Sequence, residues 1–494
     1  MAHQWKVCFF AALLVGLAAH LYKITNWLPN WDSLVFRYDK QNMVAMGRWF
    51  LPVVSAISGF YDLPWLTGLL AIVFHALGAV CICRMFSIRK TTTAALIGAV
   101  VASFPTVASV LMYNYVADAY AFSFLLACIA AHLLVMDKPK LWLAAAVCIA
   151  LSVGIYQAYL TVTVMLLLCY LIRRTLQQNV KVKTLLLQSL RFVVTGGLGM
   201  GLYYLLMTVI LKLTGTEMLA YQGFDSAVSL SGVDIWGALY TAKESFFGFF
   251  FDFAGGSPVF CILNGAILAW TVVHYLVEVV TNKIGIWKLL LLCVFAGLLP
   301  VGASILSFVN SGVDYHNLMK MGFVVFYLLP ILQYETGTRS AKQWGILLLS
   351  VLLVFQQMVI ANVSYHKLNM AYEKSYGVLI RMADRIEQTE GAEDCGRIMV
   401  VGQLPGSEAY SAMVAPDMTG TTDGYILRAD DEVVGQSVLC SALNDYCGKE
   451  YSFLYGEEKQ ALMPVAEEMP LWPAKDSIRV TDGVIIVKLS EETP

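Results

Sequence analysis

The chain of 494 residues is 58% hydrophobic and only 14% charged, with a mean hydropathy of +0.67. A soluble domain carries about 25% charged residues, so this composition excludes an ordinary soluble protein and indicates an integral membrane protein. The formal net charge is -2, and Lys and Arg are not gathered into the basic surface that binding to a nucleic acid requires.

The first apolar stretch covers residues 7–24 and follows Lys6. A signal peptide is one interpretation, but no small-x-small cleavage site ends the stretch, so we interpret it as a retained membrane helix. About 20 apolar residues cross a bilayer. On that basis ten further helices are predicted, at residues 63–86, 94–112, 120–136, 141–155, 158–172, 192–213, 259–280, 288–308, 318–334 and 344–362.

The apolar run over residues 141–172 is too long for one crossing. Near its middle, Tyr156-Gln157-Ala158-Tyr159 predicts a tight turn between two shorter helices. The predicted fold class is therefore an all-α polytopic membrane protein with a bundle of about 11 transmembrane helices.

The distribution of Lys and Arg predicts the orientation, because cytoplasmic segments retain positive charge. With a cytoplasmic N-terminus, the inner segments before residue 363 carry 15 Lys and Arg, whereas the longer outer segments carry seven. An odd number of helices then places the C-terminus outside the cytoplasm. We expect a multi-pass protein of the plasma membrane.

Residues 363–494 have a different composition, with 11 Lys and Arg against 22 Asp and Glu. Helices are predicted at residues 365–388 and 438–446, and strands at 397–404 and 483–489. The chain therefore divides into a transmembrane domain, 1–362, and a small extracytoplasmic α/β domain, 363–494. Cys440 and Cys447 are candidates for a disulfide there, and the lack of a CxxC pair argues against a zinc site.

Polar and charged residues are concentrated in the segment that follows the first helix. Asp32 or Ser33 could cap a short helix, or Asp32 could be a catalytic carboxylate at the membrane surface, and the sequence leaves both interpretations open. The basic residues of this segment alternate with apolar ones at helical spacing, as in a segment that lies in the interface; they are Arg37, Lys40 and Arg48.

Two further outer loops are rich in aromatic residues. The segment from Tyr113 to Tyr120 contains Tyr115 and Asp118, and we predict a polar connection between two helices. Residues 214–258 form a predicted long loop that either binds a polyprenyl chain or sugar, or inserts partly into the interface.

Several of these segments, in this order along nearly the whole chain, resemble the GtrII-like bacterial membrane glucosyltransferases. The resemblance is carried by Trp31-Asp32-Ser33, Gly47-Arg48-Trp49-Phe50, Asp62-Leu63-Pro64-Trp65, Phe104-Pro105 with the segment up to Tyr120, Tyr156-Gln157, and Met469-Pro470-Leu471-Trp472-Pro473 before Asp482-Gly483.

This resemblance implies a GT-C-type helical bundle that takes a sugar, with glucose expected, from an undecaprenyl-phosphate carrier and adds it to a surface glycan on the outer face. A separate synthase and flippase for the carrier-linked sugar are expected partners, whereas the lipid bilayer and the absence of a nucleic-acid partner are predicted from the composition and charge. An acid of the first outer loop acts as the base in such enzymes, which matches Asp32. Asp39 is the other acid of that loop, and Asp118 lies in the next loop.

The chemistry of the reaction is consistent with these residue types. Phosphate is a good leaving group, so one carboxylate that deprotonates the acceptor hydroxyl is enough for an inverting displacement. Cations stabilise the departing phosphate, and the candidates are Arg48, Arg37, Lys40 and Lys320. We expect Tyr113, Tyr115 and Tyr120 to shape the pocket. No cofactor is required, and the sequence leaves a divalent metal open.

Two other classes of protein compete with this interpretation. A transporter or flippase of lipid-linked sugars is expected to carry ionisable residues near the middle of its helices and often has inverted repeats. The predicted helices are nearly free of charge, and no repeat is visible. A non-catalytic protein of envelope assembly is the third possibility.

Overall fold

A computed structural model describes residues 2–35, 43–219, 234–253, 257–309, 315–336, 341–406, 424–429 and 431–491. Within these ranges the chain forms two compact units. The first contains residues 2–26 and the described part of 43–362, and the second contains residues 27–35 and the described part of 363–491. Each unit is described by itself.

The first unit consists of helices, and the last of these helices continues into the second unit. In chain order the first fifteen are α1 Ala2–Thr25, α2 Trp31–Val35, α3 Leu51–Ser55, α4 Pro64–Met85, α5 Thr91–Ser103, α6 Pro105–Met112, α7 Asn114–Val135, α8 Pro139–Ile155, α9 Leu160–Thr175, α10 Val182–Thr214, α11 Ile235–Phe251, α12 Pro258–Thr281, α13 Ile286–Ala303, α14 Val325–Thr336 and α15 Ala341–Glu387. Of these, α2 belongs to the second unit.

The predicted fold class is confirmed. In the described part of the chain, nine helical stretches are long and apolar enough to cross a membrane, and two shorter apolar helices cover Pro139–Ile155 and Met321–Thr336. These eleven correspond one to one with the eleven predicted stretches. The side on which each terminus lies remains a prediction.

Local sequence explains where several helices break. Proline disfavours helical backbone in the residue before it, so α5 ends at Ser103, Phe104 takes an extended ψ of 134°, and α6 begins at Pro105. The predicted turn between α8 and α9 is confirmed: Tyr156 is extended, and Gln157–Tyr159 forms one 3₁₀ turn.

The predicted loop from Tyr113 to Tyr120 is wrong. Only Tyr113 interrupts the helix, and α7 begins at Asn114, so Tyr115, Asp118 and Tyr120 lie on its first two turns with their side chains buried. The hydroxyl groups of the tyrosines suggested an exposed loop. Each tyrosine also has a large ring that is favourably buried, and a helix inside a bundle can bury it.

The predicted long loop at 214–258 also contains a helix in its described part, α11. Asp234 caps this helix, since its Oδ1 accepts a hydrogen bond from the N–H of Gly237 at 2.9 Å. On one face of α11, Phe250 stacks on Phe326 with ring centroids 4.3 Å apart, and Phe246 contacts Phe323 at 5.3 Å. The aromatic residues on this face therefore pack on the bundle, whereas Trp236 and Tyr240 are exposed.

The second unit is a small α/β fold. It contains α16 Glu432–Cys447, α17 Gly456–Glu467 and four strands, β1 Arg397–Val401, β2 Ser452–Phe453, β3 Ile478–Thr481 and β4 Val484–Lys488. The sheet order is β2-β1-β4-β3, with β1 parallel to β2 and β4, and β3 antiparallel to β4. Met399 and Ile486 of the sheet pack with Ala466 of α17 in a hydrophobic core.

Two predictions for this unit change. The helix expected at residues 365–388 is the continuation of α15, because no proline interrupts the sequence between the last apolar stretch and Glu387. The Cys440–Cys447 disulfide is wrong, since both thiols are free. Seven residues along one helix correspond to a rise of about 10 Å, which exceeds the Cα separation that a disulfide allows.

The predicted orientation can be tested with two cysteine variants. Glu457→Cys lies on the exposed start of α17, and Lys140→Cys lies at the exposed start of α8. In intact cells we expect a membrane-impermeant thiol reagent to label the first variant above the wild-type background, and to label the second only after the cells are opened. The reverse pattern would place the C-terminal unit in the cytoplasm.

Candidate site at the start of α7

Three connecting segments of the first unit meet at one end of the bundle: residues 43–50, the break before α7, and the turn between α8 and α9. The N–H of Phe50 donates to the carbonyl of Gly154 at 2.8 Å, and Nε2 of Gln157 donates to the carbonyl of Met46 at 2.8 Å. These bonds fix residues 43–50 against the end of α8 and the turn that follows it.

Gly47 sets the backbone of this segment. Its φ of 76° lies in the left-handed region that glycine adopts without strain. A Cβ at this position would lie 2.7 Å from Oη of Tyr203, which donates to the Gly47 carbonyl at 3.1 Å. Tyr203 of α10 therefore packs directly against the backbone of Gly47, where no side chain is in the way. The turn at Gly47 also fixes the direction of the next residue, Arg48.

Two tyrosines hold the guanidinium of Arg48. Nη1 donates to Oη of Tyr120 at 3.1 Å, and Cζ lies 4.8 Å from the centroid of the Tyr156 ring. The two rings stack on each other at 4.5 Å with an interplanar angle of 9°. Arg48 is only 7% exposed. An arginine bound in this way is preorganised, and a cation in a partly dry site interacts strongly with an anion.

Asp118 lies two residues before Tyr120 on α7 and is 3% exposed. Its Oδ1 accepts a hydrogen bond from the N–H of Ala119 at 2.9 Å. Asp118 therefore lies near the N-terminus of a helix, whereas the sequence predicted it in a loop. The sequence also predicted that the helices are nearly free of charged residues.

Asn114 occupies the same face of α7 one turn earlier, because residues i and i+4 are neighbours on a helix. It is fully buried, and neither atom of its amide has a hydrogen-bond partner within the described ranges. A buried amide without partners costs about 1–3 kcal/mol. Asn114 and Asp118 together present a donor and three acceptor atoms at the start of one helix, a combination that suits hydroxyl groups.

The remaining predicted residues are placed differently. Tyr113 and Tyr115 are buried at the break and on the first turn of α7. Lys320 is half-buried, with Nζ 5.7 Å from the Phe249 ring centroid of the aromatic α11 face. Arg37, Asp39 and Lys40 lie outside the described residues.

Asp32 belongs to the second unit, where it lies on α2 and is 8% exposed. The interpretation that Asp32 or Ser33 caps this helix is wrong. The cap is Asn30, whose Oδ1 accepts a hydrogen bond from the N–H of Ser33 at 2.8 Å, the bond expected of an N-cap residue. Capping therefore does not account for the carboxylate.

Several residues of this site were not predicted as functional. Asn114, Gln157 and Tyr156 lay in segments that the sequence singled out, but Tyr203 lies in an apolar helix with no local signal. Within the described ranges, no group of three or more His, Cys, Asp and Glu residues is arranged to hold a metal ion.

In a comparison with protein families, the model described as Glucosyl transferase GtrII matches residues 21–332, which is more than half of the chain. The matched region runs from the end of α1 into α14 and contains Asp32, Arg48, Asp118 and Lys320. Comparisons with curated proteins and with solved structures gave no match.

Proposed function

The chain belongs to the GtrII glucosyltransferase family, and from that premise we propose that it transfers glucose from undecaprenyl-phosphate glucose to a glycan on the outer face of the plasma membrane. The membrane-spanning helices and the family support a membrane glycosyltransferase. The carrier, the acceptor and the face are the parts that we propose.

The observation that carries the proposal is the fixed position of Arg48 beside the polar start of α7. Arg48 is bound to Tyr120, and the same two turns of helix carry Asn114 and Asp118. To bind a sugar donor that is linked to a lipid phosphate, an enzyme needs a cation for the phosphate and hydrogen-bonding groups for the sugar hydroxyls. We assign Arg48 to the phosphate, and Asn114 and Asp118 to hydroxyl groups.

The reaction that we propose is a single displacement at C1 of the sugar. The oxygen of the acceptor hydroxyl forms a bond to C1 while the bond from C1 to the phosphate oxygen breaks, and the carrier phosphate leaves with the electron pair. The proton of the hydroxyl passes to a carboxylate, and the configuration at C1 inverts. Charge builds up on the phosphate, where a guanidinium stabilises it best.

Asp32 remains our proposed base, as expected from its place in the segment after α1. Support comes from the structure of α2, in which the capping role belongs to Asn30. Because Asp32 and Asp118 belong to different units, each is tested by its own variant.

The function is tested with purified full-length protein, a membrane glycan fraction and two radiolabelled donors. We expect label to pass to the glycan from undecaprenyl-phosphate glucose and not from UDP-glucose. Label that passes only from UDP-glucose would contradict the proposed donor, and no transfer from either donor in the presence of a folded protein would contradict the activity.

Arg48→Lys tests the role of the planar guanidinium. Lysine keeps the charge but loses the fork that binds phosphate oxygens and Tyr120 together, so we expect kcat/KM to fall about tenfold, equivalent to roughly 1.4 kcal/mol. Arg191→Lys is the matched control, since Arg191 also lies over an aromatic ring, Trp142, but pairs with the exposed Asp137. Equal kcat/KM in both variants would remove Arg48 from the mechanism.

A further inference from the structure

A cavity in the first unit has no place in the proposed reaction. Its volume is about 490 Å³, within the usual range for ligand sites. It lies where four helices, α4, α7, α9 and α14, come to their C-terminal ends, and its lining includes Arg84, His132, Arg173, Arg174 and Glu335. This is the end at which the Lys and Arg tally predicts the cytoplasm.

One arginine of the lining binds other side chains of the protein. Nη1 of Arg173 donates to the carboxylate of Glu278 at 3.1 Å, and Nη2 donates to Oγ1 of Thr336 at 3.0 Å. These bonds lock Arg173 at the wall of the cavity. It contributes shape and rigidity there.

Three other basic groups of the lining keep donors available. Arg84 lies over the Trp5 ring with Cζ 4.8 Å from the centroid, and its guanidinium makes no hydrogen bond or ion pair with the described residues. Arg174 donates from Nη1 to Gln177 at 2.7 Å, but its Nε is buried without a partner in the described part of the chain. The same is true of Nδ1 of His132.

In the described part of the chain, the acid of this lining forms no ion pair with these groups. Oε1 of Glu335 accepts hydrogen bonds from the backbone N–H groups of Arg89 at 2.8 Å and Lys90 at 3.2 Å. Its charge is therefore directed at the turn before α5. The cavity keeps a positive surface.

Helix ends alone do not explain this arrangement. Cations are favoured near helix C-termini and on the cytoplasmic side, so each arginine has a reason to be at this end. Neither effect requires the exposed Arg84, the buried Nε of Arg174 and the buried Nδ1 of His132, which come from three helices, to line one concave space. Buried polar groups without partners are uncommon in native proteins, and each calls for a specific explanation.

We propose that this cavity binds the phosphate of an anionic lipid headgroup from the leaflet at this end of the bundle. Guanidinium groups bind phosphate oxygens through paired hydrogen bonds, which favours phosphate over a simple carboxylate. Basic pockets between membrane helices on the cytoplasmic side bind anionic lipids.

Native mass spectrometry of the full-length protein in detergent tests the site. We expect the wild type to retain phosphatidylglycerol at least tenfold better than phosphatidylcholine. The double variant Arg84→Gln with Arg174→Gln should lose that preference. The double variant Lys138→Gln with Lys140→Gln should keep it, because it removes two charges from exposed positions at the same end outside the cavity.

Further measurements separate the alternatives. Equal retention of both lipids by the wild type, or equal loss in both double variants, would overturn the proposal. Displacement of phosphatidylglycerol by millimolar inorganic phosphate or ATP would overturn the lipid as the source of the phosphate. If the glutamine variant does not fold, Arg84→Lys with Arg174→Lys replaces it; we expect a several-fold weaker preference, and an unchanged one would overturn the proposal.

Discussion

Asp32→Asn is expected to lower sugar transfer by roughly a thousandfold, within the range lost when a general base is removed. The amide has nearly the size of the carboxylate but cannot take the proton of the acceptor hydroxyl. The helix should persist, because Asn30 caps α2 and the substitution leaves that hydrogen bond intact. The measurement is the initial rate of label transfer from undecaprenyl-phosphate glucose.

Asp476→Asn is the control for this variant, since Asp476 is an exposed acid of the same unit. The two proteins should unfold at the same temperature and differ only in rate. A rate near that of the wild type in Asp32→Asn would move the role of the base to Asp39 or Asp118.

Asp118→Asn is expected to lower kcat/KM by roughly a hundredfold, the effect typical of one group that acts on the transition state. The replacement keeps an oxygen that can accept the bond from the Ala119 N–H, so the start of α7 should hold its shape. It replaces a charged acceptor by a weaker neutral one at the place where we expect sugar hydroxyls to bind.

Asp137→Asn provides the comparison, because Asp137 is almost fully exposed at the other end of the bundle. Steady-state kinetics with both variants separates binding from turnover: a loss confined to KM would make Asp118 a binding residue. Unchanged kinetics in a stable Asp118→Asn protein would leave it only a structural role.

Hydrophobic length predicted the helices because an apolar stretch of a given length has few alternatives in a bilayer. The wrong predictions concern segments whose polar residues were interpreted as exposed to solvent. Tyr115, Asp118 and Tyr120 looked like a loop and are buried at the start of α7. Similarly, the change of composition after Asn362 marks a change of surroundings, whereas the backbone of α15 continues without a break.

The candidate site was only partly predictable. Its motif residues, Arg48 and Asp118, are visible in the sequence, but the contacts that orient them come from remote positions. Tyr203 is 156 residues from Gly47, the residue whose carbonyl it binds, and nothing in the pattern of α10 links the two. Asn30 was missed as a cap because Asp32 and Ser33 are equally good capping residue types.

The assignment of residues 27–35 to the second unit has a consequence for biosynthesis. This segment leaves the ribosome directly after α1, whereas α16, the helix that α2 contacts, is synthesised some 400 residues later. Since chains fold from the N-terminus as they are synthesised, α2 cannot pack against α16 until nearly the whole chain has been made. Truncation before α16 would therefore leave the Asp32 segment without its packing surface, even though the truncation removes none of the residues of that segment.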